Sequence, residues 1–221
     1  MSRELSIYPD LQHVQEPFDP ASIEELCFPS ADAKRALMQW SGRQGYSKNL
    51  LLHGPSGSGK TRAAHVLCRE RLGARSDDWQ PIDYVECESG TFDALFQRLK
   101  STQHTFQKLT DPDFEQFVIL DEFDNFKSTQ QVQLKKILER TDLTFVLLTN
   151  HVAKIDPGIR NRCLEILWHI PAPDACLPRL RQVADAVGAG HVADATLAER
   201  VYTSAGWRQM LRNLDQMKSM P

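Results

Sequence analysis

The chain has 221 residues, of which 41% are hydrophobic and 25% are charged, and its formal net charge is −3. That length can bury a sizeable core, and the composition is typical of a globular protein. The small negative charge gives no global signal for nucleic acid, so any DNA contact must come from a local basic surface. Five scattered cysteines, never spaced as C-x-x-C, argue against a disulfide framework and against a structural zinc site.

Targeting signals are not visible in the sequence. The N-terminal residues lack the apolar segment of a signal peptide, and the longest apolar runs, 117–120 and 145–148, are far too short to cross a bilayer. The sequence therefore predicts a cytoplasmic protein with reduced thiols and no membrane association.

Short apolar segments alternate with helix-like segments along the first 170 residues. The predicted strands are 50–53, 82–87, 117–120, 145–148 and 164–170. The predicted helices are 31–40, 61–72, 91–100 and 129–140. Strands that are apolar at every position are typical of a parallel sheet covered by helices on both faces, so the predicted fold class is α/β.

The pattern of predicted elements changes after Pro171-Ala172-Pro173. Three further segments, 177–187, 193–204 and 207–217, have helical spacing with no strand between them. We therefore predict two domains: an α/β nucleotide-binding domain at 1–170 and a small helical domain at 171–221.

A glycine-rich loop follows the first predicted strand and has the spacing G-x-x-x-x-G-K-[ST]. Its residues are Gly54, Pro55, Ser56, Gly57, Ser58, Gly59, Lys60 and Thr61. Glycines allow backbone N–H groups to turn inward around phosphates, and the helix that follows directs its positive end at them. Lys60 is expected to reach the β- and γ-phosphates of ATP, and the Thr61 hydroxyl to bind Mg²⁺.

Polar side chains end the next strands of the predicted sheet. Asp121 and Glu122 follow the apolar run 117–120, at the carboxyl edge where ligands bind in open α/β sheets. We expect Asp121 to hold the magnesium ion and Glu122 to act as general base toward a water molecule. Asn150 ends the following strand, where its amide could orient that water or contact the γ-phosphate.

These residues resemble the AAA+ ATPases, and in particular their clamp-loader clade. Segment 121–126 reads D-E-F-D-N-F, and 129–139 reads T-Q-Q-V-Q-L-K-K-I-L-E, similar to the acidic strand end and the doubly basic helix of that clade. Segment 159–163, I-R-N-R-C, is similar to the clade's I-R-S-R-C. The resemblance implies that Arg162 is an arginine finger for the ATP of a neighbouring subunit, with Arg160 as the alternative.

The helical region carries a weaker likeness to the same clade. Segment 205–208, A-G-W-R, resembles the G-D-x-R start of the family's sensor 2 helix, although the acidic residue is absent. The resemblance implies that Arg208 contacts the γ-phosphate within its own subunit. It does not extend to the collar domain or to the zinc module found in clamp-loader subunits.

The resemblance implies an ATP- and Mg²⁺-dependent ATPase of DNA replication, similar to a clamp-loader small subunit. Such a protein would form a homo- or hetero-oligomeric ring or spiral with DNA and a protein partner such as a sliding clamp or a helicase. The candidate DNA contacts are Arg98, Lys100, Lys135 and Lys136, all directed at phosphates.

Three alternatives remain open at the level of sequence. The same fold could serve a helicase loader or a transposition regulator that assembles on DNA. A small-molecule kinase could use the same phosphate loop, although an acid pair followed by Asn150 is unusual for that class. A subunit that binds ATP without hydrolysing it is disfavoured by Lys60, Glu122 and Arg162 together.

Overall fold

A computed structural model describes residues 19–44, 47–73, 82–88, 90–100 and 115–218. Within these ranges the strands form one parallel sheet in the order β2-β3-β4-β1-β5. The strands are β1 (Asn49–His53), β2 (Ile82–Glu86), β3 (Gln116–Asp121), β4 (Leu143–Thr149) and β5 (Cys163–Leu167). The loop that leaves β1 therefore lies beside the carboxyl end of β4, one strand away from that of β3. The predicted α/β class is confirmed.

Helices cover both faces of this sheet. They are α1 (Ala31–Ser41), α2 (Lys60–Leu72), α3 (Phe92–Lys100), α4 (Ser128–Leu134) and α5 (Pro157–Arg160). Alternate strand residues enter two separate apolar clusters, so that Leu50 and Leu52 lie in the cluster with α1 and α2, whereas Leu51 lies in the cluster with α3. Because both faces are buried, every position of the strand favours an apolar residue.

Asn49 is the polar exception at the start of β1, and it is almost fully buried. Its amide nitrogen donates to the Leu138 carbonyl at 2.9 Å, and its amide oxygen accepts from the Phe145 N–H at 3.0 Å. These two bonds satisfy the side chain and connect β1 to β4 and to the segment before it.

The prediction of one continuous helix over 129–140 is wrong for its second half. Helix α4 ends at Leu134, two turn residues follow, and Ile137–Glu139 forms a separate 3₁₀ turn. The break leaves the Leu138 carbonyl outside a continuous helical ladder, where it accepts from Asn49. Tertiary hydrogen bonding has overridden the helical spacing of the apolar residues.

The C-terminal region is helical, as predicted, and encloses a third apolar cluster of its own. Its elements are α6 (Pro173–Ala186), α7 (Asp194–Thr196), a π turn (Leu197–Val201) and α8 (Trp207–Lys218). Together with the parallel sheet, these helices confirm the predicted combination of a P-loop α/β fold with a small helical lid. No helix within the described ranges is long and apolar enough to span a membrane.

Three predicted boundaries in this part of the chain are corrected. Strand β5 ends at Leu167 rather than at residue 170, because Trp168 already turns toward the phosphate loop. Helix α6 begins at Pro173 rather than at residue 177, since proline is well accommodated in the first turn of a helix. The predicted helix 193–204 ends at Val201, where a π turn replaces regular α-helix.

Candidate nucleotide site

A cleft of about 480 Å³ lies above the carboxyl edge of the sheet. Its floor is the phosphate loop, and the strand ends of β2, β3 and β4 contribute Glu86, Asp121 and Asn150. The segment before α1 contributes Leu26, and α8 contributes Leu211. A cleft of this size, with apolar walls and a polar floor, is typical of a small-molecule site.

The phosphate loop has the backbone that its glycines predict. Gly57 and Gly59 have φ values of 77° and 89°, which side-chain-bearing residues rarely adopt. Helix α2 starts directly after the loop, at Lys60, so its unpaired N–H groups face the same cleft. The arrangement can receive an anion at the first turn of α2.

Lys60 is nearly buried, and its side chain contacts Asn150, another predicted site residue. Its Nζ donates to the Gly54 and Pro55 carbonyls, both at 2.9 Å, and to Asn150 Oδ1 at 2.8 Å. Burial lowers the pKa of Lys60, while the charges of Asp121 and neighbouring acids oppose that shift. The ammonium group therefore sits on neutral oxygen acceptors that a phosphate could replace.

One carboxylate oxygen of Asp121 accepts hydrogen bonds from two hydroxyl groups. Thr61 Oγ1 donates to Asp121 Oδ2 at 2.7 Å, and the Tyr84 hydroxyl donates to the same oxygen at 3.1 Å. A hydroxyl and a carboxylate are hard oxygen ligands, so this pair fits the small Mg²⁺ ion. Burial and the nearby Asp121 charge raise the pKa of Tyr84, which keeps the phenol protonated as a donor.

Glu122 lies beside Asp121, lines the cleft and is exposed. Its φ of 52° is unusual for a residue with a side chain, and strained backbone of this kind is concentrated at functional sites. Asn125 Nδ2 donates to Glu122 Oε2 at 3.1 Å and also to the Cys87 carbonyl at 3.0 Å. A residue of the following 3₁₀ turn thus holds the carboxylate of the predicted general base.

The predicted arginines fall into two groups. Arg208 lines the cleft with the phosphate loop, whereas Arg160 and Arg162 do not line it. Arg162 donates to Glu139 Oε1 at 2.8 and 2.6 Å and to the Gly158 carbonyl at 2.6 Å. Arg160 binds Glu165 with two hydrogen bonds, at 2.8 and 2.9 Å. Neither of these two arginines is placed to reach a nucleotide in its own cleft.

The four candidate DNA contacts have different surroundings. Arg98 forms an ion pair with Asp83, and Lys135 forms one with Asp156 at 2.8 Å. Lys100 and Lys136 are exposed, and the Lys100 ammonium lies 4.2 Å from the centre of the Phe96 ring. The structure therefore leaves Lys100 and Lys136 as the more accessible of the four cations.

Sequence reasoning missed several residues that line or support the cleft. Tyr84 and Asn125 look like ordinary strand and turn residues, and no local spacing marks them. Arg179 of α6 also lines the cleft and pairs with Glu25 at 3.0 Å. Trp168 and Trp207 both contact the phosphate loop, and no motif marks either of them. Their roles depend on chain segments that are far apart in sequence.

Comparison with known proteins identifies the family to which the chain belongs. Residues 50–169 match the family described as "ATPase family associated with various cellular activities (AAA)". Replication factor C small subunit 2 of Pyrobaculum arsenaticum is 29% identical over 203 residues, which cover 90% of this chain and 61% of that protein. A probable replication factor C subunit 2 of Dictyostelium discoideum is 28% identical, with 92% of this chain and 60% of that protein covered. The chain thus spans about three fifths of these relatives.

A solved structure shows the same fold. The RuvB Holliday junction branch migration motor of Thermotoga maritima superposes with a TM-score of 0.63 at 18% identity. The superposition covers 93% of this chain and 66% of that chain. At that identity the likeness establishes the fold alone.

The fold and the phosphate loop define a P-loop nucleotide-binding protein, and the family match covers more than half of the chain. The chain belongs to the AAA family of ATPases. Its relatives among the replication factor C subunits place it in the clamp-loader clade of that family, as the sequence motifs predicted.

Proposed function

We propose that this chain hydrolyses ATP in DNA replication, as one subunit of an oligomer whose ATP sites lie between subunits. One observation carries the proposal. The residues for binding and water activation meet in a single cleft, while Arg162 lies outside it and is partly exposed. A second copy or a related subunit would have to bring its own arginine to complete the site.

The proposed chemistry follows from the contacts within the cleft. Lys60 leaves the Gly54 and Pro55 carbonyls and pairs with the β- and γ-phosphates. Thr61 and Asp121 hold the magnesium ion, which when bound neutralises phosphate charge. Glu122 accepts a proton from the water whose oxygen attacks the γ-phosphorus, and the bond from that phosphorus to the β–γ bridging oxygen breaks. ADP and phosphate are the products, and Asn150 orients the water or the γ-phosphate.

The neighbouring subunit supplies the remaining charge in this proposal. Arg162 of that subunit exchanges its pairing with Glu139 for the γ-phosphate, where it stabilises charge in the transition state. Residues 171–221 act as a lid, and Arg208 on α8 contacts the γ-phosphate within the subunit. ATP binding therefore favours assembly, and hydrolysis favours release.

DNA and a protein partner belong to the same proposal. The relatives are named as replication factor C subunits, which supports a role in replication for this chain. Lys100 and Lys136 are the side chains best placed to meet DNA phosphates, since Arg98 and Lys135 are already paired. The protein partner would be a sliding clamp.

A mixing experiment tests the inter-subunit site. Glu122→Gln and Arg162→Ala subunits are each expected to lose at least about 100-fold in turnover, since one lacks the general base and the other the finger. In a homo-oligomer, an equal mixture should recover about a quarter of wild-type turnover, because each ATP site then draws on two subunits across a head-to-tail interface. The measurement is phosphate release at saturating ATP.

The matched control is a mixture of Glu122→Gln with Arg160→Ala. Arg160→Ala subunits alone should keep wild-type turnover. If they lose it and recover about a quarter in that mixture, while Arg162→Ala subunits alone stay active, the finger is Arg160 instead. Wild-type turnover by Arg162→Ala subunits alone would contradict the assignment of the finger to Arg162. Glu122→Gln and Arg162→Ala subunits that each lose turnover and recover none on mixing would contradict the inter-subunit site.

A further inference from the structure

Four carbonyl groups of the phosphate loop accept hydrogen bonds from Lys60 or from distant parts of the chain, and they belong to Gly54, Pro55, Gly57 and Ser58. The Gly54 and Pro55 carbonyls accept from Lys60, which has to leave them when it pairs with phosphate. The Gly57 carbonyl accepts from the backbone N–H of Trp207 at 2.8 Å. The Ser58 carbonyl accepts from the indole Nε1 of Trp168 at 3.0 Å. The Pro55 carbonyl also accepts from the Ser58 hydroxyl, within the loop, at 2.8 Å. The Gly57 and Ser58 carbonyls are thus held from outside the loop by groups that do not leave.

The orientation of a carbonyl fixes the orientation of the next N–H. In a planar trans peptide the C=O of one residue and the N–H of the next point in opposite directions, and the described chain contains no cis peptide bond. Holding the Gly57 carbonyl therefore directs the Ser58 N–H, and holding the Ser58 carbonyl directs the Gly59 N–H. These two N–H groups lie in the part of the loop that leads into α2.

Trp168 is a fixed anchor of this kind. The residue is 2% exposed, and its own N–H donates to the His53 carbonyl at 2.7 Å, which continues the sheet by one residue. Phe28 packs edge-on against its ring at 5.9 Å. Because the sheet and the core both hold Trp168, its indole N–H stays at the loop whatever the C-terminal helices do.

Trp207 is a conditional anchor, since it is the first residue of α8. The approach depends on Gly206, which has a φ of 125°, and a Cβ there would lie 2.5 Å from the Gly57 carbonyl oxygen. The Trp207 ring also meets Gly59, with its Cδ1 3.4 Å from the position of a Cβ on that residue. This bond to the loop exists only while α8 is docked on it.

We propose that Trp168 and Trp207 are positioning residues for phosphate binding, and that docking of α8 completes the orientation of the loop through the Trp207 N–H. The inference deepens the proposed function, because it concerns the ATP site on which that function rests. It also gives the C-terminal helices a role that does not require Arg208.

The first test removes the indole donor. Trp168→Phe keeps an aromatic ring but loses the N–H, and ADP binding measured by calorimetry should weaken about fivefold, as expected for one neutral hydrogen bond. Trp40→Phe is the matched control, because Trp40 is also buried and its Nε1 donates to the Lys48 carbonyl, away from the loop. The control should change the Kd for ADP less than twofold. Equal Kd values for ADP in the two variants would overturn the role of Trp168.

The second test separates the Trp207 backbone from its ring. Trp207→Ala keeps the N–H, whereas Trp207→Pro removes it at the first position of a helix, where proline is tolerated. Trp207→Pro should bind ADP about fivefold more weakly than Trp207→Ala, for loss of one hydrogen bond. Equal affinities of the two variants would overturn the conditional anchor.

Adenosine binding distinguishes a loss of phosphate contacts from a general structural defect, which would weaken the binding of both ligands. The variants that lack a donor should bind adenosine, measured by ligand-observed NMR, as well as the wild type does, since adenosine carries no phosphate. A parallel loss of adenosine and ADP binding would overturn the inference. Wild-type protein that binds no ADP would overturn the proposed function as well, whereas wild-type binding and turnover with unaffected variants would overturn the inference alone.

Discussion

Asp121 Oδ2 is the acceptor of two hydroxyl groups, from Thr61 and from Tyr84. In the proposed mechanism Thr61 is itself a magnesium ligand, whereas Tyr84 only orients the carboxylate from the neighbouring strand. Hydrogen bonds of this kind tune metal affinity without contacting the metal. Tyr84 therefore offers a way to change metal binding while the proposed ligands stay in place.

Tyr84→Phe should raise the Mg²⁺ concentration that gives half-maximal ATP turnover by about fivefold, since one hydrogen bond to the carboxylate is lost. Binding of ADP without Mg²⁺ should be nearly unchanged. The matched control is Tyr202→Phe, whose hydroxyl donates to the Pro171 carbonyl instead. An unchanged Mg²⁺ midpoint in Tyr84→Phe would argue against this role.

At the scale of elements, the junction of α2 with β3 depends on a buried ion pair. Arg71, near the end of α2, donates from Nη2 to Glu115 Oε1 at 2.9 Å, just before β3 begins. Arg71 also donates to the Trp40 carbonyl at 2.7 Å and lies over the Trp40 ring. Arg43 and Thr144 complete the surroundings of the carboxylate. Helices α1 and α2, strand β4 and the residue before β3 therefore meet at one charge cluster.

This cluster makes the free energy of unfolding depend on pH. Burial alone would raise the pKa of Glu115, but hydrogen bonds from Arg71 and Thr144 and the charges of Arg71 and Arg43 outweigh it and lower the pKa below 4.5. A carboxylate with a lowered folded-state pKa stabilises the fold above its unfolded pKa. That stabilisation is lost as the pH falls through the folded-state value.

Glu115→Gln should lower the free energy of unfolding by about 3 kcal/mol at pH 7, because it leaves the buried Arg71 without its carboxylate partner. The difference from wild type should shrink as the pH falls below about 4.5 and through the lowered folded-state pKa of Glu115. Urea unfolding of both proteins, from pH 7 down to acidic pH, measures the difference. A difference that stays constant with pH would mean that the ionisation of Glu115 does not stabilise the fold.

At the scale of the whole molecule, residues of two apolar clusters line the cleft, and the third cluster adjoins it at Glu122. Trp168 belongs to the cluster with α1 and α2, Phe123 beside Glu122 to the cluster with α3, and Trp207 to the C-terminal cluster. A ligand bound between these parts stabilises only the folded arrangement. Nucleotide binding should therefore raise the stability of the entire chain.

ADP at 100 times its Kd should add about 2.7 kcal/mol to the free energy of unfolding, which corresponds to a rise in Tm of roughly 5–10 °C for a chain of this size. Lys60→Ala should lose most of that rise, because Lys60 pairs with the phosphates. Lys127→Ala, at an exposed lysine before α4, is the control and should keep it. A rise in Tm for Lys60→Ala equal to that of wild type would contradict the assigned role of Lys60.

The features that the sequence alone predicted depend on residues that are close together in the chain. The spacing of Gly54, Gly59, Lys60 and Thr61 is local, and so is the placement of acids directly after an apolar strand. Such patterns predicted the parallel α/β fold and the phosphate loop, since buried strands and a loop–helix turn are set by neighbouring residues. The sequence also placed Asn150 at the end of the strand after the acidic one, and in the structure its amide oxygen accepts a hydrogen bond from Lys60.

Only the tertiary structure could decide the partners of these residues. Trp168 reaches Ser58 across 110 positions, and Tyr84 reaches Asp121 across 37. A tryptophan or tyrosine in a strand looks like a core residue, because its polar atom acquires a role only when another element supplies the acceptor. The end of helix α4 at Leu134 has the same kind of explanation. The Leu138 carbonyl, which lies beyond that end, accepts a hydrogen bond from the distant Asn49. Local sequence patterns determined the helices, the strands and the phosphate loop. Long-range hydrogen bonds determined which residues orient the side chains and carbonyl groups of the site.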